Sequence, residues 1–201
     1  YEISVKLGHV VWRKLFPEER EIADHNLNDS CVELISKGEY SLAIDFLEFA
    51  VSFPKHHSDN IKKMMVINLA QAYKKAGNSN KCIETLKMFD WSASAYNFKL
   101  AISALKEEYE QSAKLLRTVV NAGDLSEKAI IEWPIFNEFR KTNEFLVVFK
   151  ELFNKDYAQQ EELMKVEFNS HMDSIFSKNE EKENNKEDVN VIDNKHDGKE
   201  E

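Results

Sequence analysis

The stretch INLAQAYKKAGNSNKCIETLKMF, residues 67 to 89, sets small residues, Ala70 and Cys82, on either side of a single glycine, Gly77. Two antiparallel helices approach closely only where the contacting side chains are small, and the turn between them favours a residue that accepts positive φ. The stretch therefore reads as a helix, a tight turn at Gly77 and a second helix. Such a hairpin is either one pair in an antiparallel bundle or one unit of a repeat, and the flanking sequence bears on the choice.

Upstream, NLNDSCVELISKGEYSLAIDFLEFAVSFP (residues 26 to 54) shows two helical patterns broken at Gly38 and stopped by Pro54. Glycine just past a helix and proline beyond the next one are the usual stop signals. Setting Gly38 on Gly77 brings SKGEYSLAIDFL under KKAGNSNKCIETL, and the small residue five places on is Ala43 in one and Cys82 in the other. Downstream, LAISALKEEYEQSA (100 to 113) fits under LAQAYKKAGNSNKC (69 to 82) without a gap, which sets Glu108 under Gly77 and Ala113 under Cys82. The steps are unequal, 39 residues and then 31, with the longer first connection SFPKHHSDN. The pattern is a degenerate repeat in which each hairpin leaves an apolar face for the next to cover.

These positions resemble the tetratricopeptide repeat family, whose unit is a helix-turn-helix of about 34 residues. With Lys63 as the first position, the middle copy matches the family pattern at Val66, Leu69, Ala70, Tyr73, Gly77, Cys82, Leu86 and Phe89. The first copy keeps Leu27, Cys31, Leu34, Gly38, Ala43, Leu47, Ala50 and Pro54; the third keeps Leu100, Ala101, Ala104 and Ala113, with Glu108 where glycine is usual. The resemblance implies an all-α fold of three degenerate repeats over residues 24 to 122, stacked as a short right-handed solenoid.

Composition agrees with helices: 5 Gly and 3 Pro among 201 residues, against 31% charged and 42% apolar, leave little punctuation for a sheet and enough apolar mass for a core. Residues 1 to 23 form an amphipathic helical segment packing on the repeats, with Ile3, Leu7, Val11 and Leu15 on its apolar stripe, Val10 and Trp12 widening it, and Pro17 ending it. Residues 123 to 177 are aromatic-rich terminal helices; Trp133-Pro134 marks a helix start, and Phe136, Phe139, Phe145, Phe149 and Phe153 fall on apolar stripes as core. Residues 178 to 201 hold 5 Lys and 9 Asp or Glu with few apolar residues, and read as a disordered acidic tail.

The net charge of -9 disfavours a nucleic-acid partner, which normally meets a basic face. No run approaches the roughly 18 apolar residues of a membrane span. Cys31 and Cys82 lack metal-binding spacing and read as small core residues of a cytoplasmic protein. His56 and His57 lie beside Asp59, but adjacent side chains seldom converge on one ion, and Glu107 and Glu108 read as solvated charges at a helix end. No motif for a nucleophile, a phosphate loop or a paired-carboxylate mechanism appears, so no catalytic role, cofactor or metal is expected.

What the resemblance implies about function is a concave groove, lined by the first helix of each repeat, that holds a protein partner as an extended peptide or a helix. Carried over by position, the groove comprises Met64, Ile67, Asn68, Gln71, Lys74 and Lys75 from the middle copy and Phe98, Lys99, Ile102 and Lys106 from the third, with Ala95 and Leu105 beside them. Ile67, Phe98 and Ile102 would form an apolar floor and Lys74, Lys75, Lys99 and Lys106 a basic rim, suited to an acidic peptide with apolar anchors. Of the five polar positions by which one branch of the family grips chaperone tails, only Asn68 and Lys99 are kept; Asn28, Val32 and Ala95 depart from it, which argues against that ligand. Self-association through an uncapped end of the repeats is a second route to assembly. The alternative reading follows from the first residue, Tyr1 rather than Met: a regulatory or sensor domain of a larger enzyme whose catalytic part lies upstream.

Overall fold

The computed structural model describes residues 2 to 159, with side chains from Gly8 onward. The described residues are helical, without strands, in the order α1 (Glu2–Lys14), α2 (Pro17–Ser36), α3 (Tyr40–Val51), α4 (Asp59–Lys75), α5 (Ser79–Leu86), α6 (Tyr96–Leu105), α7 (Tyr109–Asn121), α8 (Glu127–Glu132) and α9 (Asn143–Phe153). Two 3-10 turns, Pro134–Phe136 and Phe139–Lys141, join the last two helices. These elements make one compact unit that ends at Phe153; a second begins at Asn154. The expected acidic tail and most of the helical continuation before it lie outside the described residues.

Local chemistry explains the boundaries. Ser58 caps α4 by accepting from Ile61 N, Asp59 sits in the first turn, and Lys74 and Lys75 sit in the last. Asn78 caps α5 in the same way through Lys81 N. Pro17 both ends the α1 pattern and opens α2 at its first position, where a missing N–H costs nothing, and Glu19 accepts from Phe16 N at 2.9 Å. Residues 17 to 23, grouped with the N-terminal segment from sequence, are thus the first turns of the 20-residue helix α2.

The turn expected at Gly77 recurs with one backbone geometry. Gly38 and Gly77 take φ of +82° and +80°, and each turn closes with a pair of bonds, Gly38 N to Ile35 O with Glu39 N to Leu34 O, and Gly77 N to Lys74 O with Asn78 N to Tyr73 O. In the third hairpin the same pair runs from Glu107 N to Ala104 O and from Glu108 N to Ser103 O. The residue with positive φ there is Glu107, at +62°, one place before the aligned Glu108. The α6–α7 turn has the same three residues between helices but falls one residue earlier than the ungapped alignment sets it, so Ser112, not Ala113, stands where Ala43 and Cys82 stand in the other hairpins. Ser112 is fully buried and its hydroxyl meets that of Ser103 at 2.8 Å across the hairpin. Both are small enough for close approach, and Leu100 O and Glu108 O are further acceptors for the two hydroxyls.

The helices pack α2 on α3, α3 on α4, α4 on α5 and α6 on α7, while α2 lies along α4 and α4 along α6. The small residues at the contacts, Cys31, Ala43, Ala50, Ala70, Cys82 and Ala101, are closed to solvent. Helix α1 meets the end of α3 and the loop after it: Trp12 stacks on Phe53 at 4.2 Å and donates from Nε1 to Lys55 O, and His9 Nε2 lies 2.9 Å from Ser52 Oγ. Its docking face differs from the expected stripe. Trp12 is buried and Gly8 lies under the Phe49 ring, where a Cβ would come within 2.4 Å, whereas Val10 and Val11 are half exposed. The absence of a side chain at Gly8 leaves room for the Phe49 ring on that face of the helix.

At the other end Phe136, Phe139, Phe145 and Phe149 are fully buried, linked edge to face from Phe136 to Phe145, and Tyr109 of α7 stacks on Phe139. Arg117 of α7 grips Glu151 of α9 with a forked pair of bonds. Arg140 holds the connecting segment by donating to Ile130 O, Trp133 O and Asn137 Oδ1.

Candidate functional site

Lys74 and Lys75 close α4, where a helix end favours cations, and the segment pinned by Arg140 brings Glu138 toward them. Between these elements lies a cleft of about 220 Å³ lined by Gln71, Lys74 and Lys75 of α4, Ala104 and Leu105 of α6, and Pro134, Ile135 and Glu138. Lys74 Nζ donates to Leu105 O and pairs with Glu107 Oε1 at 2.9 Å. Lys75 Nζ stands 3.8 Å from Glu138 Oε1, whose carboxylate Lys141 holds at 2.9–3.0 Å. That hydrogen bond from Lys141, helped by the charges of Lys141, Lys75 and Lys74, keeps the Glu138 carboxyl below the usual range.

Gln71 lines the same cleft at 3% exposure, and its Nε2 is shielded from water with no hydrogen-bond partner. A buried amide donor without an acceptor costs about 1–3 kcal/mol. The cleft is smaller than the roughly 300–1,000 Å³ of ordinary small-molecule sites. It has room for one side chain flanked by lysine ammonium groups on a wall of Ala104, Leu105, Pro134 and Ile135.

The groove residues expected from sequence divide into two sets. Ile67, Asn68, Gln71, Phe98 and Ile102 are buried within the unit, at 2%, 6%, 3%, 8% and 6% exposure. The apolar floor is thus internal packing. Asn68 Nδ2 donates to Asn28 Oδ1 at 2.9 Å, which joins α4 to α2. Met64, Lys74, Lys75 and Lys99 are half-buried and Lys106 is exposed, and of these Lys74 and Lys75 enter the cleft with Gln71. Lys99 Nζ lies over the Tyr96 ring at 5.1 Å.

Sequence reasoning missed Glu138, which it placed in a segment read for its aromatic core, and Glu107, which it read as a solvated charge. Glu107 holds Lys74 and carries the positive φ of its turn. The one available signal was KEE at 106 to 108 with no glycine, in a place where a turn had to form.

The histidine pair resolves differently from the loop site considered above. His56 Nδ1 donates to Asp24 Oδ1 at 2.8 Å, and Asp24 Oδ2 accepts from His57 N at 2.6 Å, with the His56 and Asp24 side chains shut off from water. The His57 ring turns toward Glu21 at 3.7 Å. Among the described residues no group of three His, Cys, Asp or Glu is placed to hold a metal ion, and no helix is long and apolar enough to cross a membrane. The Asp24–His56 pair anchors the loop after α3 to α2. No family model, no curated protein and no solved structure matches the chain.

Proposed function

We propose that the chain is a tetratricopeptide-like interaction module, its hairpins stacked as a short right-handed solenoid, which holds an acidic segment of a protein partner and carries no chemistry of its own. The observation that supports this reading most is the cleft at the end of α4, where Lys74 and Lys75 flank an apolar wall and the unpartnered Gln71 amide. Lys99 and Lys106 on α6 and its cap extend the basic character away from the cleft. The three matching turns, each with its pair of closing bonds, support the repeat reading.

The test is affinity capture followed by direct binding of the purified candidate, comparing wild type with a Lys75→Glu, Lys99→Glu, Lys106→Glu variant whose far-ultraviolet circular dichroism and melting are unchanged. A partner that binds wild type directly and loses at least tenfold in affinity for the variant is the expected result. A partner bound equally by both forms would overturn the assignment of this surface.

A further inference from the structure

Helices α2 and α4 open successive hairpins, yet their sides are covered unequally. α4 is closed to solvent at every residue from Met65 to Tyr73, because α2 lies along one side of it and α6 along another. α2 buries a single stripe, Arg20, Asp24, Asn28, Cys31 and Ile35, spaced three or four apart. Between α1 and the open side of α2 runs a trough of about 690 Å³, lined by Val11 and Trp12 of α1, Ala23, Leu27 and Ser30 of α2 and Phe49 of α3. The same hairpin carries Phe16 and Ile22, the two most exposed large apolar side chains among the described residues, at 69% and 62%. Its charges are sorted by helix. α1 ends in Arg13 and Lys14, both exposed, whereas α2 exposes Glu18, Glu19, Glu21, Asp29 and Glu33 and buries its one arginine, Arg20. Glu21 turns to His57 and Glu33 to Lys37, and among the described residues no ion pair joins α1 to α2.

We propose that the open face of the α1–α2 hairpin binds a second copy of the chain, the two hairpins forming a four-helix layer in which each α1 lies against the α2 of the other copy. The inference is independent of the protein-binding reading above and concerns a different face. A surface that pairs with itself about a two-fold axis must carry both members of every contact. This one does: exposed apolar side chains stand beside an apolar trough, and a basic helix end stands beside an acidic helix. Charge selects the arrangement. Setting α2 against α2 would oppose carboxylates to carboxylates, which costs free energy, so the axis runs along the helices and sets α1 on α2. Such an axis preserves height along the helices, and only Leu15 and Phe16 separate the end of α1 from the start of α2. Arg13 and Lys14 of one copy therefore lie level with Glu18 and Glu19 of the other, while Val10, Val11 and Ile22 close over the troughs. A helix of another protein would need an apolar stripe, an acidic flank for α1 and a basic flank for α2. A second copy of this hairpin supplies all three.

The experiment is sedimentation equilibrium of the full-length chain from about 1 to 500 micromolar, where mass action shifts a reversible dimer. One hairpin per copy is a small interface, so a monomer–dimer equilibrium with Kd on the order of 10 micromolar is expected. Ile22→Asp should weaken it by about tenfold or more, and Met88→Asp, an exposed apolar site beyond α5, should leave it unchanged. Arg13→Glu and Glu18→Lys should each weaken it by about fivefold. An equimolar mixture of those two variants should regain the loss as a mixed dimer, because each contact between copies again joins opposite charges. That recovery separates a contact between chains from a change within one. All four substitutions fall on exposed side chains, and unchanged circular dichroism and melting confirm that each variant is folded. A monomer throughout the range would overturn the proposal and leave the trough to a helix of another protein. A dimer indifferent to Ile22→Asp, a dimer lost equally in Met88→Asp, or a mixture no tighter than its two components would also overturn it.

Discussion

Asn68 on α4 donates from Nδ2 to Asn28 Oδ1 on α2 at 2.9 Å, and both amides are more than nine-tenths buried. Each amide is thus spent on the other. Leaving one member buried without its partner costs more than the bond itself contributes. Asn68→Ala should lower stability by about 1–3 kcal/mol, and the Asn28→Ala, Asn68→Ala double variant by less than the sum of the singles. Urea titrations of the four species check this, and strictly additive losses would show that the two amides do not interact.

The Asp24–His56 pair should be the more sensitive of the two polar links. Asp24 accepts from His56 Nδ1 and His57 N in a site closed to water, so Asp24→Ala strands two donors at once. The expected loss is about 3 kcal/mol, with the loop after α3 and the docked α1 released first. Hydrogen exchange localises the effect: protection should fall in residues 52 to 58 and at the end of α1 before it falls in α6 and α7.

Glu107 adopts φ of +62°, where glycine serves in the two preceding hairpins. A side chain in that region costs about 1 kcal/mol, while its ion pair with Lys74 is half exposed at the Glu107 end and contributes a few tenths at most. Glu107→Gly should therefore raise stability by up to about 1 kcal/mol, and Glu107→Ala, which keeps the backbone cost and loses the pair, should not. The urea midpoints of the two variants should move in opposite directions.

Burial pushes the Cys31 thiol up to about 11, and that of Cys82 upward as well. Because the folded value lies above the unfolded one, the folded chain holds its proton over a range where the unfolded chain has released it. The resulting stability is complete below about pH 8.5, the ordinary thiol value, and is lost as pH rises toward 11. Cys31→Ala should flatten the fall of the urea midpoint between these limits. Labelling of Cys31 by a disulfide reagent at pH 8 should be slow unless the protein is unfolded.

Local signals carried much of this protein. Helix content, the turns at Gly38 and Gly77 and the aromatic core of residues 136 to 149 are legible because each depends on neighbours in the chain: a glycine that accepts positive φ, a 3.6-residue stripe. The third hairpin was legible in kind but not in register. A turn that falls one residue early, with its positive φ on Glu107, leaves no glycine to mark it, and two adjacent small residues, Ser112 and Ala113, satisfy the pattern equally well.

What sequence determined by itself was which faces of which helices are apolar and where the chain reverses. Which polar residues line a cleft and which face each other was decided only by the tertiary structure, because that depends on partners far apart in the chain. Asn28 and Asn68 are 40 residues apart, Asp24 and His56 are 32, and Lys75 and Glu138 lie on elements that share no local pattern. A lysine at a helix end reads the same in sequence whether it meets solvent, a carbonyl or a carboxylate. The packing of α4 against α6 and of the 3-10 turn Pro134–Phe136 against α6 closed the cleft around Gln71.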